Sequence, residues 1–479
     1  MDTLYAALAA KIRKHIDSGQ LKPGDRLRGV RTQSEKQDVS IATVLAAYHA
    51  LEDQGYIESR PRSGFYVALR NHTVVATPDV SAPTSVPMPV TGQEMALWLG
   101  KAANNPAMVQ LGAAVPDASF LPTIALEKAN LYAARQRIHS VGYEFPPGLP
   151  ELRAQIARRM AATGCTTSAE DIVITSGCQE ALTLALRAVT TPGDVVALES
   201  PTFYGLLQVV DSLGLKALEI PTHPEQGISI EALQLALEQW PVKACVVVPN
   251  FSNPLGYCMS DVDKRRLVDL LDQHDIPLIE DDVCGDLGFP RRQGIEAQGP
   301  RPIALKSLER NSPVIYCSSF SKTLAPGLRI GWIAPGKYLE RIEYLKYVSN
   351  LASATLPQLA ISHLLKSGLY ERHLKHVTTL YSQAVTRMID TLSKQFPVGC
   401  KITQPKGGFV IWVELPHQID TFKLAQQCLQ HDISIAPGQL FSANKDKYRN
   451  FMRLSCASVW NESLERAISK LAGLIHQNL

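Results

Sequence analysis

One short stretch of the chain, residues 318–332, combines the residue types needed to hold a phosphorylated aldehyde. Lys322 stands near its centre, with Ser319 and Ser321 before it. Arg329 follows seven residues after the lysine, behind a Pro-Gly turn. A lysine amine can form a Schiff base with an aldehyde, while hydroxyl groups and a guanidinium bind phosphate oxygens. We therefore predict covalent attachment at Lys322 and phosphate binding by the two serines and the arginine.

The lysine must be held by the elements on either side of it. Residues 314–317 and 330–334 are short apolar runs typical of buried strands, so Lys322 lies on a connection at the rim of a sheet. Four more such runs alternate with helical stretches, at residues 172–175, 195–198, 245–248 and 277–280. This alternation predicts a doubly wound, mostly parallel α/β sheet with ligands at the carboxyl ends of its strands. Two later runs, 409–413 and 451–454, suit a smaller α+β domain.

A second phosphate-binding element is predicted where a strand leads into a helix. Residues 176–180, Ser-Gly-Cys-Gln-Glu, directly follow the apolar run at 172–175. The unpaired N–H groups and the dipole of a helix N-terminus attract phosphate. This element therefore adds Gly177, Cys178 and Gln179 to the predicted phosphate site.

Together these motifs resemble the lysine box and phosphate cup of fold-type I aminotransferases, which use pyridoxal 5'-phosphate (PLP). The resemblance implies that PLP is the cofactor and that Asn253, in Asn-Pro-Leu-Gly, contacts the phenolic oxygen of its ring. It implies that Asp281 keeps the pyridine nitrogen protonated, which makes the ring an electron sink, while Asp282 is structural. It also implies that Phe203 stacks on the ring, with Tyr204 as the neighbouring alternative.

The same resemblance assigns three further positions. Arg453 matches the arginine that clamps a substrate α-carboxylate, bidentately because its donors form a planar fork. Tyr143 matches a tyrosine that reaches the phosphate of the cofactor in the partner subunit. The family has a tyrosine three residues after the ring aspartate, whereas this chain has Cys284. Because a thiol is a weaker donor, we expect Cys284 to permit cofactor binding but to count against efficient transamination.

The first seventy residues are organised differently. An apolar residue recurs every four positions and predicts one helix: Leu4, Leu8, Ile12 and Ile16. A polar segment at 30–37 predicts a second helix, and a third begins at the N-cap Ser40 with Val44, Tyr48 and Leu51 inward. Two short strands complete the segment, at residues 56–59 and 64–67. Three helices followed by a hairpin predict a winged helix-turn-helix.

This segment resembles the DNA-binding domain of the GntR family through G-x-L-K-P-G-D-R-L, V-S-x-x-T-V, A-Y-x-x-L-E-x-x-G-Y-I and S-G-x-Y-V. The resemblance implies binding to a double-stranded DNA operator. The residues that it places at DNA are Arg31 on the second helix, Ser40 and Thr43 at the start of the recognition helix, and Arg60, Arg62 and Gly64 in the wing. Three departures weaken the match. Leu27-Arg28-Gly29 replaces Leu-Pro-Ser, and Gln33-Ser34 replaces Leu-Ala, so the second helix should be less stable or shifted. Ile41 replaces a common arginine, which should weaken or redirect base reading.

Composition narrows the class of protein. With 479 residues, 45% of them hydrophobic and 19% charged, the chain suits two to four globular domains. Eleven Lys/Arg face eight Asp/Glu in residues 1–70, so the whole net charge of +3 falls on that segment, which favours nucleic acid as its partner. No apolar run approaches the 18 or so residues of a membrane helix, and nine scattered cysteines without a C-x-x-C pair indicate reduced thiols. We expect a cytoplasmic protein with no membrane segment and no metal site.

A proline-rich segment separates the two parts. Residues 70–92 contain four prolines among small residues and show no apolar period, which predicts a semi-extended tether. We therefore expect a GntR-like domain at 1–69, a linker at 70–92 and an aminotransferase-like domain at 93–479. The latter should comprise a large PLP-binding part at about 106–340 and a small part at about 341–479.

This arrangement resembles the MocR subfamily of GntR transcription regulators. It implies a homodimeric regulator that senses PLP or an amino compound (an amino acid or an amine) through an aldimine at Lys322. Two alternatives stay open. One is a catalytically active PLP-dependent aminotransferase with an appended DNA-binding domain, which Lys322 and Arg453 favour and Cys284 disfavours. The other is a body without cofactor that serves only in dimerisation.

Overall fold

The computed structural model describes residues 4–17, 20–21, 24–53, 56–60, 63–67, 76–92, 94–290 and 301–479. It divides into two compact units, Met1–Val74 and Val75–Leu479. Among the described helices, none combines the length and the apolar character that crossing a membrane requires. Nor does the described part of the chain bring together three or more His, Cys, Asp or Glu side chains in a way that could hold a metal ion.

The first unit is a winged helix-turn-helix, as predicted. Its elements are α1 (Leu4–Asp17), α2 (Val30–Gln37), α3 (Ile41–Asp53), β1 (Ile57–Arg60) and β2 (Gly64–Val67). The two strands pair antiparallel, with Ile57 opposite Val67. The main chain before α2 joins this ribbon, since the Leu27 N–H donates to the Phe65 carbonyl at 2.8 Å.

The apolar periods of the helices build the core of this unit. Leu8 and Ile12 of α1 are buried against Val44, Tyr48 and Leu51 of α3, which point inward as predicted. The stripe on α1 does not begin at its first residue, because Leu4 is 69% exposed. The predicted stripe is therefore buried at Leu8 and Ile12, while its first residue stays exposed.

The second helix forms in spite of its polar residues. It spans the predicted range, Val30–Gln37, with Gln33 buried. The Ser34 hydroxyl donates to the Val39 carbonyl at 2.5 Å and the Val39 N–H donates back to the Ser34 carbonyl at 3.2 Å. Polar groups that satisfy the turn after the helix offset the loss of apolar packing, and the helix forms over the predicted range.

The second unit is built on a large sheet. Its strands and those of the smaller sheets are β3 (Met88–Pro89), β4 (Val109–Gln110), β5 (Val173–Thr175), β6 (Val195–Ser200), β7 (Lys216–His223), β8 (Gly227–Ile228), β9 (Val242–Val247), β10 (Leu278–Asp281), β11 (Val314–Ser319), β12 (Gly331–Ala334), β13 (Lys401–Ile402), β14 (Val410–Glu414), β15 (Ile433–Ser434), β16 (Ala436–Pro437) and β17 (Phe451–Ser455). Within the described residues, nine strands form the large sheet in the order β3-β7-β6-β9-β10-β11-β12-β5, with β8 beside β7. The pairs from β7 to β11 are parallel, and β12 is antiparallel to both of its neighbours. The predicted mostly parallel α/β fold is confirmed.

The helices of the second unit cover both faces of the large sheet and pack against the smaller sheets. They are α4 (Glu94–Ala103), α5 (Thr123–Ala134), α6 (Ile138–Val141), α7 (Pro150–Ala161), α8 (Cys178–Val189), α9 (Tyr204–Ser212), α10 (Ile230–Gln239), α11 (Asp261–Gln273), α12 (Leu339–Asn350), α13 (Thr355–Lys366), α14 (Leu369–Gln395), α15 (Thr421–Leu429) and α16 (Glu462–Gln477). Adjacent residues of one strand show the two-sided burial, since Val246 of β9 packs with α8 and α9, whereas Cys245 packs with α10 and α11. Strands buried on both faces appear as continuous apolar runs, which is why the sequence revealed them.

The C-terminal part carries a second core. Strands β13, β14, β17 and β16 form an antiparallel sheet in that order, and β15 pairs in parallel with β4. Apolar residues of α14 and α16 pack against the antiparallel sheet, including Tyr381, Met388 and Leu471. This matches the predicted smaller α+β part.

Residues 76–92 differ from the tether predicted over 70–92. They are extended, but they lie along the second unit. The Ile402 N–H donates to the Ala76 carbonyl at 2.9 Å, the Trp240 indole to the Ser85 carbonyl at 3.2 Å, and β3 pairs with β7. Prolines suit such an edge position because they need no ladder hydrogen bond. The proline content correctly indicated extended chain, but residues 76–92 lie against the second unit and do not form a free tether. Residues 70–75 of the predicted tether lie outside the described residues.

Candidate functional site

Lys322 occupies the connection between β11 and β12, as predicted. Its Nζ donates to the Ala114 carbonyl at 2.6 Å. Burial lowers the pKa of the amine to about 8, while the positive fields of Arg453 and Arg329 act in the same direction and Cys284 opposes them. An ordinary lysine has a pKa near 10.4, so a much larger share of this amine is neutral and nucleophilic at neutral pH.

The predicted phosphate-binding residues come together beside the lysine. Arg329 Nη1 donates to the Ser321 hydroxyl at 3.2 Å, and its Nη2 donates to the Ser176 carbonyl at 3.0 Å. The Ser321 N–H donates to the Ser319 hydroxyl at 3.3 Å. Gly177 caps helix α8 with a φ of +85°, and a Cβ at this position would collide with Arg329 Nη2. The cup thus requires glycine for both its backbone angle and its space.

The other cup residues meet different neighbours. Gln179 Nε2 donates to the Gly205 carbonyl at 2.7 Å, which ties the start of α8 to α9. Cys178 is buried, with its Sγ 3.5 Å from Asp281 Oδ1. The first turn of α8 therefore links the phosphate cup to the carboxylate at the end of β10.

The two adjacent aspartates have separate roles in the structure. Asp282 is buried and accepts hydrogen bonds from Arg301 at 2.8 Å, Tyr316 at 2.8 Å and Asn250 at 2.9 Å. Asp281 instead accepts a 3.3 Å bond from the Val283 N–H besides its contact with Cys178, and burial raises its pKa to about 6. A buried carboxylate with so few donors can accept a further cationic partner. This geometry suits the assignment of Asp281, not Asp282, to a ring nitrogen.

Arg453 and Asn253 meet although 200 residues separate them. Arg453 is fully buried on β17 and donates from Nη1 to Asn253 Oδ1 at 3.2 Å and from Nη2 to the Gly112 carbonyl. Its Nε makes no hydrogen bond within the described part of the chain. Burial lowers the pKa of the guanidinium. A buried arginine with a donor still available is suited to bind an anionic group.

The two candidate stacking rings contact each other, with 4.9 Å between centroids, but they have different further neighbours. A Cβ on Gly205 would collide with the Phe203 ring and also approach Gln179, so Phe203 lies beside the phosphate cup. The Tyr204 ring instead packs edge-on to Phe441, at 5.6 Å between centroids, and lies 6.0 Å from the Arg453 guanidinium. These contacts favour Phe203 for the ring position and associate Tyr204 with the arginine.

Cys284 lies close to Lys322 and Asp281, whose charges act on it. Burial raises the pKa of its thiol to about 12. Sequence reasoning missed a tyrosine that lies near both Cys284 and Lys322. The hydroxyl of Tyr381, on α14, donates to the Lys322 carbonyl at 3.4 Å. Tyr381 is fully buried, and burial raises its phenol pKa, as does its proximity to Cys284. The tyrosine lies about sixty residues downstream, where no motif signals it.

Sequence reasoning also missed a set of polar contacts that hold the first turn of α8 in place. Glu180 accepts from the Ser176 N–H at 2.6 Å and from Lys346 Nζ at 2.7 Å, and Asn350 donates to its other oxygen at 2.5 Å. Lys346 is 1% exposed, and burial lowers its pKa. Glu180 is part of the Ser-Gly-Cys-Gln-Glu motif, but no sequence motif marks its partners on α12.

Tyr143 does not reach this site within one chain. It is 73% exposed and stacks on Phe145 at 5.4 Å between centroids. Phe145 in turn lies 6.1 Å from the ring of Tyr347. A tyrosine left outside its own cup is compatible with the expected contact to a partner subunit.

The predicted DNA-contacting residues lie in the first unit. Ser40 caps α3 by accepting the Thr43 N–H at 3.1 Å, and the two hydroxyls are 2.8 Å apart. Arg31 is exposed on α2, and Gly64 begins the second wing strand with a φ of +106°. Arg60 ends β1, but the predictions for its side chain and for Arg62 lie outside the described residues.

The site fits PLP by the chemistry of its donor set. A reactive amine, an anion cup that excludes a Cβ, a buried carboxylate and a buried arginine with an unpaired Nε lie at one end of the sheet. They complement the aldehyde, the phosphate and the ring nitrogen of PLP and the carboxylate of an amino acid, respectively.

Comparison with known families matches both units. Residues 107–471 match the aminotransferase class I and II family, and residues 4–67 match bacterial regulatory proteins of the gntR family. The chain is 38% identical to the uncharacterized HTH-type transcriptional regulator YjiR of Escherichia coli and 39% identical to YdcR of the same organism, over 99% of each chain. It is 29% identical to aromatic-amino-acid aminotransferase 1 of Thermococcus litoralis, over 78% of this chain and 89% of that one.

Solved structures resemble the second unit. Kynurenine aminotransferase of Pyrococcus horikoshii, in complex with PMP (pyridoxamine phosphate), has a TM-score of 0.73 and 28% identity, covering 81% of this chain and 95% of that one. LysN of Thermus thermophilus, an α-aminoadipate aminotransferase complexed with a phosphopyridoxyl-leucine, has a TM-score of 0.72 and 25% identity, over 81% and 95%.

Proposed function

Because the chain belongs to the aminotransferase class I and II family and carries a gntR-family domain in front, the MocR-type arrangement, we propose that it is a transcription regulator that responds to PLP and an amino compound. The first unit binds double-stranded operator DNA. The second unit binds PLP at Lys322 and serves as the sensor. As a bacterial DNA-binding regulator, the protein works in the cytoplasm.

The grouping of Lys322, Asp281, Arg329 and Arg453 carries the sensing part of this proposal. We assign the phosphate to Ser319, Ser321, Arg329 and the first turn of α8. We assign the ring nitrogen to Asp281, the phenolic oxygen to Asn253 and the ring face to Phe203. When bound, PLP supplies an aldehyde that reacts with amines and a ring that withdraws electrons.

The chain's own groups define the chemistry on the protein side. Lys322 offers a larger share of neutral amine at neutral pH than an ordinary lysine does, because burial lowers its pKa. Asp281 carries a charge that stabilises a protonated ring nitrogen, since a nearby cation favours its ionised form. Arg453 presents buried donors to a carboxylate. We therefore propose an amino acid, bound by its carboxylate at Arg453, as the preferred effector over a simple amine.

We further propose that the regulator is a homodimer. Exposed aromatic residues around Tyr143 support this, because Tyr143, Phe145 and Tyr347 form a contiguous patch on the second unit. Apolar patches of this kind mark interaction surfaces. Sedimentation equilibrium of the full chain, compared with Tyr143→Glu and Tyr347→Glu variants, tests it: the wild type should have twice the mass of one chain. A monomeric wild type would refute the dimer.

The regulatory proposal is tested by selecting DNA from a random library with the purified full chain, followed by footprinting. We expect a protected site of defined sequence, recovered upstream of the gene itself or of a divergent neighbour. Binding should persist in Lys322→Ala, because the lysine is not part of the winged helix. Absence of any sequence-selective footprint, with and without PLP, would refute the regulator.

A second candidate function is transamination, which the Arg453 site favours. Single-turnover mixing of the PLP-loaded protein with a panel of amino acids separates the two functions. We expect slow or no keto-acid release in the wild type, and faster release in Cys284→Tyr, which restores a hydroxyl donor. Cys284→Phe is the matched control, since it adds the same bulk without the hydroxyl. Rapid keto-acid release by the wild type would establish the enzyme instead.

A further inference from the structure

The exposed face of α3 has an unusual composition for a helix that enters the major groove. Val44, Ala47, Tyr48 and Leu51 are buried in the unit, and the opposite face carries Ile41, Ala42, Leu45, Ala46 and His49. Ile41 is 48% exposed and Leu45 is 37% exposed. Residues 41–50 contain no Arg, Lys, Asn or Gln, the side chains that usually read bases through hydrogen bonds.

The polar groups close to this face are already engaged. The Ser40 and Thr43 hydroxyls hydrogen-bond to each other at 2.8 Å, and Ser40 also caps the helix. His49 pairs with Glu52 at 3.3 Å, near the far end of α3. The outward face of the first two turns of α3 therefore consists of Ile41 and Leu45, one helical turn apart, and two alanines.

The first unit also carries exposed arginines on segments next to α3. Arg31 is exposed on α2, and Arg28 is exposed on the segment before α2, where its carbonyl accepts the Tyr48 hydroxyl of α3 at 2.8 Å. Arg26 is exposed and bridges to Tyr66 of the wing. Exposed guanidinium groups and an exposed apolar strip in one unit match a duplex, whose phosphates border a groove that displays apolar methyl groups. They do not match a purely apolar partner.

We propose that α3 recognises its operator through the C5-methyl groups of thymine, which contact Ile41 and Leu45 in the major groove. The major groove is where thymine is distinguished by its methyl group, and aliphatic side chains contact that group. The exposed arginines of this unit supply phosphate contacts that set the register without reading sequence. The inference rests on the proposed function, since it specifies how the same unit selects its DNA.

Uracil substitution isolates the methyl group, because deoxyuridine keeps the O4 acceptor and the pairing of thymine. The experiment uses the operator selected by the full chain and replaces its thymines one at a time. Fluorescence anisotropy at fixed salt then gives the Kd for each duplex. We expect one or two thymines in each half-site at which uracil weakens binding about three- to tenfold, the loss that corresponds to one buried methyl group.

Variants assign the contact to a side chain. Ile41→Ala should bind the thymine operator more weakly and should lose the uracil effect at one position, and Leu45→Ala should lose it at another. Leu4→Ala is the matched control, since Leu4 is an exposed aliphatic residue on α1 and should leave the uracil effect intact. Melting temperatures of all three variants check that the first unit stays folded.

The possible outcomes distinguish failure of the methyl readout from failure of the proposed regulatory function. Selective binding that is indifferent to uracil at every thymine would overturn the methyl readout and leave the regulator standing. So would selective binding that collapses when guanine is replaced by 7-deazaguanine but not when thymine is replaced by uracil. Absence of selective binding to any duplex would instead refute the proposed function, and the readout with it.

Discussion

Arg453 and Asn253 fix each other's orientation: Nη1 of the arginine donates to Oδ1 of the asparagine at 3.2 Å. Because the amide oxygen is used, the amide nitrogen is the group left to donate, as a phenolic oxygen requires. The arginine lies on β17 of the small sheet, and the asparagine lies in the segment that follows β9 of the large sheet. One hydrogen bond thus connects the proposed effector clamp to the proposed cofactor contact.

Replacing this arginine should separate effector binding from cofactor binding. Arg453→Lys keeps the charge but loses the planar fork, so we expect an amino acid to bind at least tenfold more weakly while PLP still binds. Titration of the visible spectrum of the PLP-loaded protein with amino acid measures this. Arg466→Lys, on the exposed face of α16, is the control and should behave as wild type. Equal amino-acid affinity in both variants would disprove the clamp.

The glycine of the phosphate cup allows a matched pair of substitutions. Gly177 and Gly193 have similar positive φ angles, +85° and +94°, but a Cβ on Gly193 meets nothing within 4 Å. Alanine at either position should cost about 1 kcal/mol of stability for its backbone conformation. Gly177→Ala should in addition lose PLP affinity tenfold or more, because its Cβ displaces Arg329. Equal PLP affinity in the two variants, measured by equilibrium dialysis, would argue against the cup.

The pKa of Lys322 predicts how PLP attachment depends on pH. The amine must be neutral to react, and its pKa is lowered to about 8, so the attachment rate should rise with pH and reach half of its maximum near pH 8. A solvent-exposed lysine would still be rising above pH 10. Stopped-flow absorbance after mixing with PLP gives the profile. A rate that keeps rising beyond pH 10 would show that the attaching amine is not buried.

The two aspartates should respond differently to amidation. Asp281→Asn should weaken PLP binding but leave the melting temperature close to wild type, because Asp281 has few partners. In the wild type, PLP affinity should fall as the pH drops through about 6, where the Asp281 carboxylate becomes protonated and loses its charge. The Asp281→Asn variant should lack that inflection. A wild-type affinity that is flat between pH 7 and 5 would contradict this role.

Asp282→Asn should instead destabilise the fold. It removes one of the two carboxylates that pair with Arg301, the other being Asp286, and it weakens hydrogen bonds to a buried charged group, which costs about 1.5 to 3 kcal/mol. Urea unfolding of the protein without PLP measures the free energy of unfolding of each variant. Similar losses in Asp281→Asn and Asp282→Asn would mean that the two carboxylates are not specialised.

Much of the site was predictable because its residues lie in short local motifs. Lys322, Gly177 and Asp281 each follow a buried strand, and a strand end is recognisable from an apolar run and the turn after it. The same logic located the third helix of the first unit, since Ser40 and the inward residues Val44 and Tyr48 form a local pattern.

Long-range partners were not predictable in this way. The hydroxyl of Tyr381 reaches Lys322, and Lys346 reaches Glu180, through packing of helices that follow the sheet in sequence, and no spacing in the chain records these contacts. Strand β7 was missed for a different reason: Lys216, Glu219 and Pro221 interrupt its apolar run. Glu219 is buried there because Ser442 and the Ala443 N–H satisfy its carboxylate, and only the folded chain supplies those donors.

The central claim is that DNA binding responds to the site at Lys322. The most direct measurement is the Kd for the selected operator, by fluorescence anisotropy, in four conditions: no addition, PLP, amino acid, and both. We predict that PLP with amino acid changes the Kd fivefold or more, a typical coupling between two sites, and that Lys322→Ala abolishes the change. Lys375→Ala, an exposed lysine on α14, should retain it. An identical Kd in all four conditions for the wild type would contradict the account.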